Sequence, residues 1–284
     1  VDSTHRYFRK DLQPDGTWNK GRTVRGVTTI LGDTLEKKGL QNWSMGLALQ
    51  ELFGFYDFTP DGGKRLTGFS KGKGTIWSSD LLDEDTVLSL VLSASKASYR
   101  KMNQGADIGT LVHSAIEDYV RGNFRKLDES GFTGEEMVVA IAAFNSFQTW
   151  WEATSPKLLG SEQMVYSNEL DYSGAYDGLL EIDGKIILAD WKTSNASASA
   201  GAPQGAYYSY FAQSAAYALA LKEMTGQKVD DLLVVSCRKD GKFDTVYLSD
   251  LGFTVAEAVA YWRAIVTCYR SMDKLKKALV ANAK

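Results

Sequence analysis

Between residues 162 and 190 apolar side chains recur at about every second position, and the pattern is interrupted at Asp183-Gly184. A period of two marks strands with one face in a core. Asp-Gly between two such runs signals a tight hairpin. The segment therefore reads as three strands, EQMVYSNEL from 162, GAYDGLLEID from 174 and KIILAD from 185, the last two antiparallel. The third strand ends in two charges, Asp190 and Lys192, which lie two residues apart and so point to the same face.

The flanking sequence has a different period. Residues 36–58 and 81–104 carry apolar groups at helical spacing, and 106–121 places Ile108, Leu111, Val112, Ala115, Ile116 and Tyr119 on one stripe, with Gly122 as its stop. TGEEMVVAIAAFNSFQTWWEAT from 133 opens with Thr133 and Glu136, the spacing of a capping box. A helix over 204–224, strands at 230–241 and 242–249, and a last helix from 254 complete the chain. Two strand-like pieces, THRYFRKDL and GTWNKGRTVRGVTTIL, lie near the start. Residues 59–78 and 194–202 read as loop and connector. The GKGT at 72–75 lacks the spacing of a phosphate-binding P-loop. Helices before and after a small sheet predict an α/β (α+β) fold, a central mixed sheet flanked by helices. We divide it into an N-terminal extension over 1–80, packed on a core over 81–284.

Composition narrows the chemistry. Two cysteines, Cys237 and Cys268, exclude a four-thiolate zinc or iron–sulfur centre and a disulfide framework, and predict a reducing, cytoplasmic setting. The first residues have no signal-like apolar core, and no apolar run is long enough to span a bilayer. A net charge of −3 argues against a coating role on nucleic acid and leaves room for an enzyme that grips its substrate locally.

Asp177 closes the run GAYD on the strand paired with Asp190, so the hairpin brings two carboxylates together. Their repulsion is relieved by a hard divalent cation, which suits Mg2+ or Mn2+. His113 is the second element, with Glu117 one turn later on the same helix side. Gln213 and Tyr217, four apart on the helix after the third strand, are the third.

GTLVH at 109–113, GAYD at 174–177, DWK at 190–192 and QSAAY at 213–217 follow the order and approximate spacing of the RecB-like branch of the PD-(D/E)XK nuclease superfamily. GVTTIL and LQNWSMG are similar to the amino-terminal segment of phage-type exonucleases of this kind. The resemblance covers about residues 22–220 and implies a restriction-endonuclease-like core. Carried over by residue, it implies that Asp177 and Asp190 bind metal with His113 and the Trp191 backbone carbonyl. Lys192 becomes the catalytic lysine, and Gln213 with Tyr217 its support and a contact to the DNA backbone. Glu162 matches an upstream acid, a place for which Glu117 also stands. Asp190 occupies a position where many relatives have Glu. The branch members with an iron–sulfur cluster are excluded by the cysteine count.

The resemblance implies a Mg2+- or Mn2+-dependent DNA exonuclease, acting in phage or prophage recombination or DNA processing, in the host cytoplasm if phage-encoded. A structure-selective or single-strand endonuclease and a catalytically inactive nucleic-acid-binding protein are the alternatives. DNA is the expected partner, with a strand-annealing protein or helicase by resemblance only. Tyr207, Tyr208 and Tyr210 either pack in the core or stack on bases. Lys96, Arg100 and Lys101 either touch phosphate or line a solvated helix face.

Overall fold

The computed structural model of the chain describes residues 7–12, 18–35, 96–124, 126–128, 131–194 and 204–282, with Ser44, Ala48 and Ser93. The expected helices over 36–58 and before residue 93, and the loop at 59–78, lie outside the described residues, as does most of the 194–202 connector. The elements in chain order are β1 (Tyr7–Leu12), β2 (Trp18–Gly26), α1 (Val27–Thr34), α2 (Ala97–Val120), α3 (Gly134–Thr154), β3 (Lys157–Ser167), β4 (Tyr172–Ile182) and β5 (Lys185–Ser194). They continue with α4 (Gln204–Thr225), β6 (Asp231–Arg238), β7 (Phe243–Tyr247) and α5 (Val255–Asn282).

The strands form one mixed sheet in the order β1-β2-β4-β5-β6-β7, with β3 also on β4. The hairpin of β4 and β5 is antiparallel, and its turn residues Asp183 and Gly184 have φ of 50° and 76°. Two consecutive left-handed residues make the turn whose twist matches the strands it joins. β5 pairs with β6 in parallel, which requires the crossover through α4. Alternate residues of β6 enter opposite cores: Leu232 and Val234 face α1, α4 and α5, while Leu233, Val235 and Cys237 face α2 and α3. This is the predicted α/β architecture, a sheet covered on both faces.

GVTTIL departs from the sequence reading. It is the start of helix α1, in which Val27, Ile30 and Leu31 are buried. Their 3,4 spacing fits a helix lying on the core, and that burial overrides the strand propensity of two threonines, a valine and an isoleucine. The capping box at Thr133 and Glu136 forms as expected, with both reciprocal bonds present. No helix among the described residues is long and apolar enough to cross a membrane.

The pairing around β4 positions the chemistry. β3 runs along one edge from Tyr172 to Glu181, while β2 touches the other edge at Tyr172 and Ser173 and β5 joins that edge only from Gly178. Among the described residues, Gly174–Asp177 therefore has no strand partner on the second edge. The site opens there, between two strands that diverge.

Candidate metal centre

Three carboxylates lie in a row across three strands. The register of β3 with β4 sets Glu162 opposite Asp177, between the pairs Ser161↔Gly178 and Gln163↔Tyr176. The register of β4 with β5 ends at Gly178↔Ala189, and one step further stand Asp177 and Asp190. Neighbouring strands are about 4.8 Å apart. Each carboxylate thus meets the charge of the next.

His113 comes from α2. Gly109, one turn before it, lets that helix approach β5, since a Cβ there would sit 3.3 Å from Thr193 Oγ1. His113 Nδ1 lies 3.9 Å from Asp177 Oδ2, and the imidazole donates to the Trp191 backbone carbonyl. Burial, and then the Lys192 charge, push the histidine down to about 4. At neutral pH it is uncharged and able to ligate.

Donor atoms of His113, Glu162 and Asp177 lie within 4.8 Å of one another. An octahedral ion with ligands at ~2.1 Å holds its donors roughly 3–4.2 Å apart, so the set needs an inward shift of a few tenths of an ångström to close on one. The expected ligand set had Asp190 in place of Glu162. Asp190 is instead turned toward Lys192, whose Nζ is 2.8 Å from Oδ1 and 2.7 Å from Oδ2. Only the Oδ1 contact has hydrogen-bond geometry, so Oδ2 is a buried acceptor without a hydrogen-bond partner. A carboxylate only 1% exposed, whose one close counter-charge is Lys192 and which stands beside a histidine and two further acids, belongs to a donor set that fits a hard cation.

The electrostatics agree with that crowding. Burial, then Asp177 and Glu117, raise Glu162 to about 7, against the pull of Arg121. Burial raises Asp190 to about 6, with Lys192 opposing and Asp177 adding. Asp177 is raised by burial too, although the Trp191 N–H donates to its Oδ2 at 2.7 Å and Lys192 lies near. For Lys192, burial acts to lower the ammonium, yet Asp190 and Asp177 outweigh it and hold it above its ordinary range.

The residues between the motif positions have steric reasons. The Trp191 ring is buried between Phe147 and Trp150, with centroids 5.2 and 5.5 Å away, and anchors β5 to the α3 layer. Burying such a ring is worth roughly 4–6 kcal/mol before chain entropy. Gly178 makes room for it, since a Cβ there would fall 2.5 Å from the ring. Gly174 does the same for Tyr217, at 2.4 Å from Cε1. Tyr217 accepts a 3.0 Å bond from Gln213 Nε2, so α4 brings that pair onto β4 as a unit.

The remaining expectations divide. The Tyr210 ring centroid lies 5.1 Å from Lys192 Nζ, a cation–π distance. Tyr208 is exposed, near Tyr261 of α5. The side chains of Tyr207, Arg100 and Lys101 lie outside the described residues. Lys96 is exposed at the N-cap of α2, 17 residues before His113, or ~25 Å along the helix. Glu117 is ion-paired to Arg121. Two nearby residues escaped the sequence reading. Tyr7 of β1 lies close enough to Glu162 to be raised by its charge after burial, and close enough to Tyr217 to act on it, and Arg121 reaches β3.

A family model described as the PD-(D/E)XK nuclease superfamily matches residues 88–267, a span that includes every residue from His113 to Tyr217 named above. No curated protein matches the chain. Among solved structures, one from Eubacterium rectale named "Putative exonuclease" is similar, with 14% identity over 58% of this chain and 68% of that chain and a TM-score of 0.38.

Proposed function

The chain belongs to the PD-(D/E)XK nuclease superfamily, and from that premise we propose that it is a DNA exonuclease of the RecB-like, phage-exonuclease type, dependent on Mg2+ or Mn2+. The observation that carries this reading is the convergence of His113, Glu162 and Asp177 beside the Asp190–Lys192 pair. A retired nuclease fold that only binds nucleic acid has no physical need to keep three acids in a row at raised proton affinity. The RecB-like assignment rests on the histidine in α2 and on the Gln213–Tyr217 pair, both of which lie at this centre.

His113, Glu162 and Asp177 would hold the cation, with Asp190 one strand away. When bound there, it supplies Lewis-acid chemistry, making water more acidic and offsetting the charge of the phosphodiester. Lys192 keeps its proton, so its task is electrostatic: it stabilises charge that grows on the phosphate as the bond breaks. Asp190 holds the ammonium in place, and the Trp191 N–H fixes the Asp177 carboxylate. Tyr210, half-buried beside Lys192, is the ring we assign to meet a base. The setting we assign is the cytoplasm, in phage or prophage DNA processing or recombination; both cysteines are free thiols.

The test is the purified chain with Mg2+ or Mn2+ on end-labelled linear DNA and on closed circles, each single- and double-stranded. The expected result is metal-dependent release of nucleotides from the ends of linear DNA, with circles intact. Cutting of circles would make the protein an endonuclease, and retention of all label in every form would leave only a binding role.

A further inference from the structure

We infer that Arg121 is a positioning residue that pins the irregular backbone of β3 and so presents Glu162 to the metal. The inference rests on the metal-site reading above. Glu162 is a non-glycine residue in the middle of a strand with φ of 50°. Such a conformation is disfavoured for a side-chain-bearing residue and persists only when its surroundings impose it. A shift of register between Leu158 and Gly160 lies just before it, the kind of bulge that re-aims a side chain.

A hydrogen bond from outside the sheet reaches this stretch between the two irregularities. Arg121 Nη2 donates to the Ser161 carbonyl at 2.7 Å, one peptide before Glu162. The guanidinium is itself held by Glu117, one turn earlier on α2, through Nη1. His113 lies eight residues before Arg121, a little over two turns, so the two fall within about 80° of each other around α2. A single helix thus supplies one ligand directly and fixes a second through its arginine. The arrangement also gives Glu117 a role apart from ligation: it orients the arginine. The Arg121 charge offsets part of the repulsion that Glu162 meets from Asp177 and Glu117.

The full chain is titrated with Mn2+ by calorimetry as wild type, Arg121→Met, Arg121→Lys, Glu162→Gln and the Arg121→Met/Glu162→Gln double variant. Groups that orient a metal ligand are typically worth ~10–100-fold in metal affinity. Arg121→Met is therefore expected to lose tenfold or more, and Arg121→Lys, which keeps a donor for Ser161, to stay within threefold. In the Glu162→Gln background Arg121→Met should cost less than twofold, because the ligand it serves is already gone. Wild-type Mn2+ affinity in Arg121→Met, or an equal loss in both backgrounds, overturns the inference. So does a raised KM for DNA with Mn2+ affinity unchanged, which would make Arg121 a phosphate contact. Undiminished affinity in Glu162→Gln overturns the metal-site reading itself, whereas loss there without loss in Arg121→Met overturns only the arginine's part. If Arg121→Met fails to fold, Arg121→Ala, which likewise lacks a donor, carries the same thresholds.

Discussion

Gly174→Ala should damage the protein through one contact. The new methyl carbon would stand 2.4 Å from Tyr217 Cε1 and 3.2 Å from Cζ, where carbon atoms settle at about 3.5–4.0 Å. The tyrosine ring would have to retreat by more than ~1 Å. It has no room to do so, being 4% exposed and packed in the core shared by α4 and β4, where Tyr172 also bonds the Ala216 carbonyl. Overpacking of this kind costs about 1–3 kcal/mol. Gly174 is not in the left-handed region, so alanine should return roughly 0.4–1 kcal/mol by restricting the unfolded chain. A net loss of about 1 kcal/mol corresponds to a drop in Tm of roughly 2–4 °C in a chain of this size. Cleavage should fall with it, since the displaced ring breaks the Gln213–Tyr217 bond. Thermal unfolding of Gly174→Ala, of Tyr217→Leu and of the double variant checks the mechanism. In the Tyr217→Leu background the alanine should cost little. A Tm for Gly174→Ala equal to wild type, or strict additivity in the double variant, would refute the steric account of this glycine.

Lys192→Met removes the cation shared by Asp190 and Asp177. Turnover should fall ~10²–10³-fold while Mn2+ still binds by calorimetry; a cleavage rate within threefold of wild type would deny the lysine its role. Metal and pH should be coupled as well. With pKa values at about 7 and about 6, Glu162 and Asp190 hold protons in the metal-free folded state that an unfolded chain has already released, so they destabilise it as pH rises from near 4 and in full above about 7. His113, lowered from 6.5 to about 4, acts in the opposite sense and costs stability only as pH falls through that window. A cation displaces the acids' protons, so the rise in Tm from about 10 mM Mg2+ should be larger at pH 8 than at pH 5.5. Equal shifts at the two pH values would show that the acids do not meet the ion.

What the sequence by itself determined is local. Alternation, the Asp183-Gly184 turn and the Thr133 capping box each need only neighbouring residues, and each is found where it was read. The common face of Asp190 and Lys192 follows from strand geometry alone, and they do form an ion pair. Asp177 beside Asp190 was legible because a two-residue turn leaves a single register. The tertiary structure decided the rest. β3 meets β4 across the turn Asn168-Glu169-Leu170-Asp171, which carries no glycine signal, so neither the register nor the left-handed twist that sets Glu162 opposite Asp177 could be counted in advance. Arg121 was missed because its partner, the Ser161 carbonyl, is 40 residues away and is a backbone atom with no mark in the sequence. GVTTIL became a helix because α1 meets α4 and α5, a contact no local propensity encodes. The acids were written in the chain; that Glu162 and Asp177 lie near His113 follows from the course of β3 along β4, which no neighbouring residues encode.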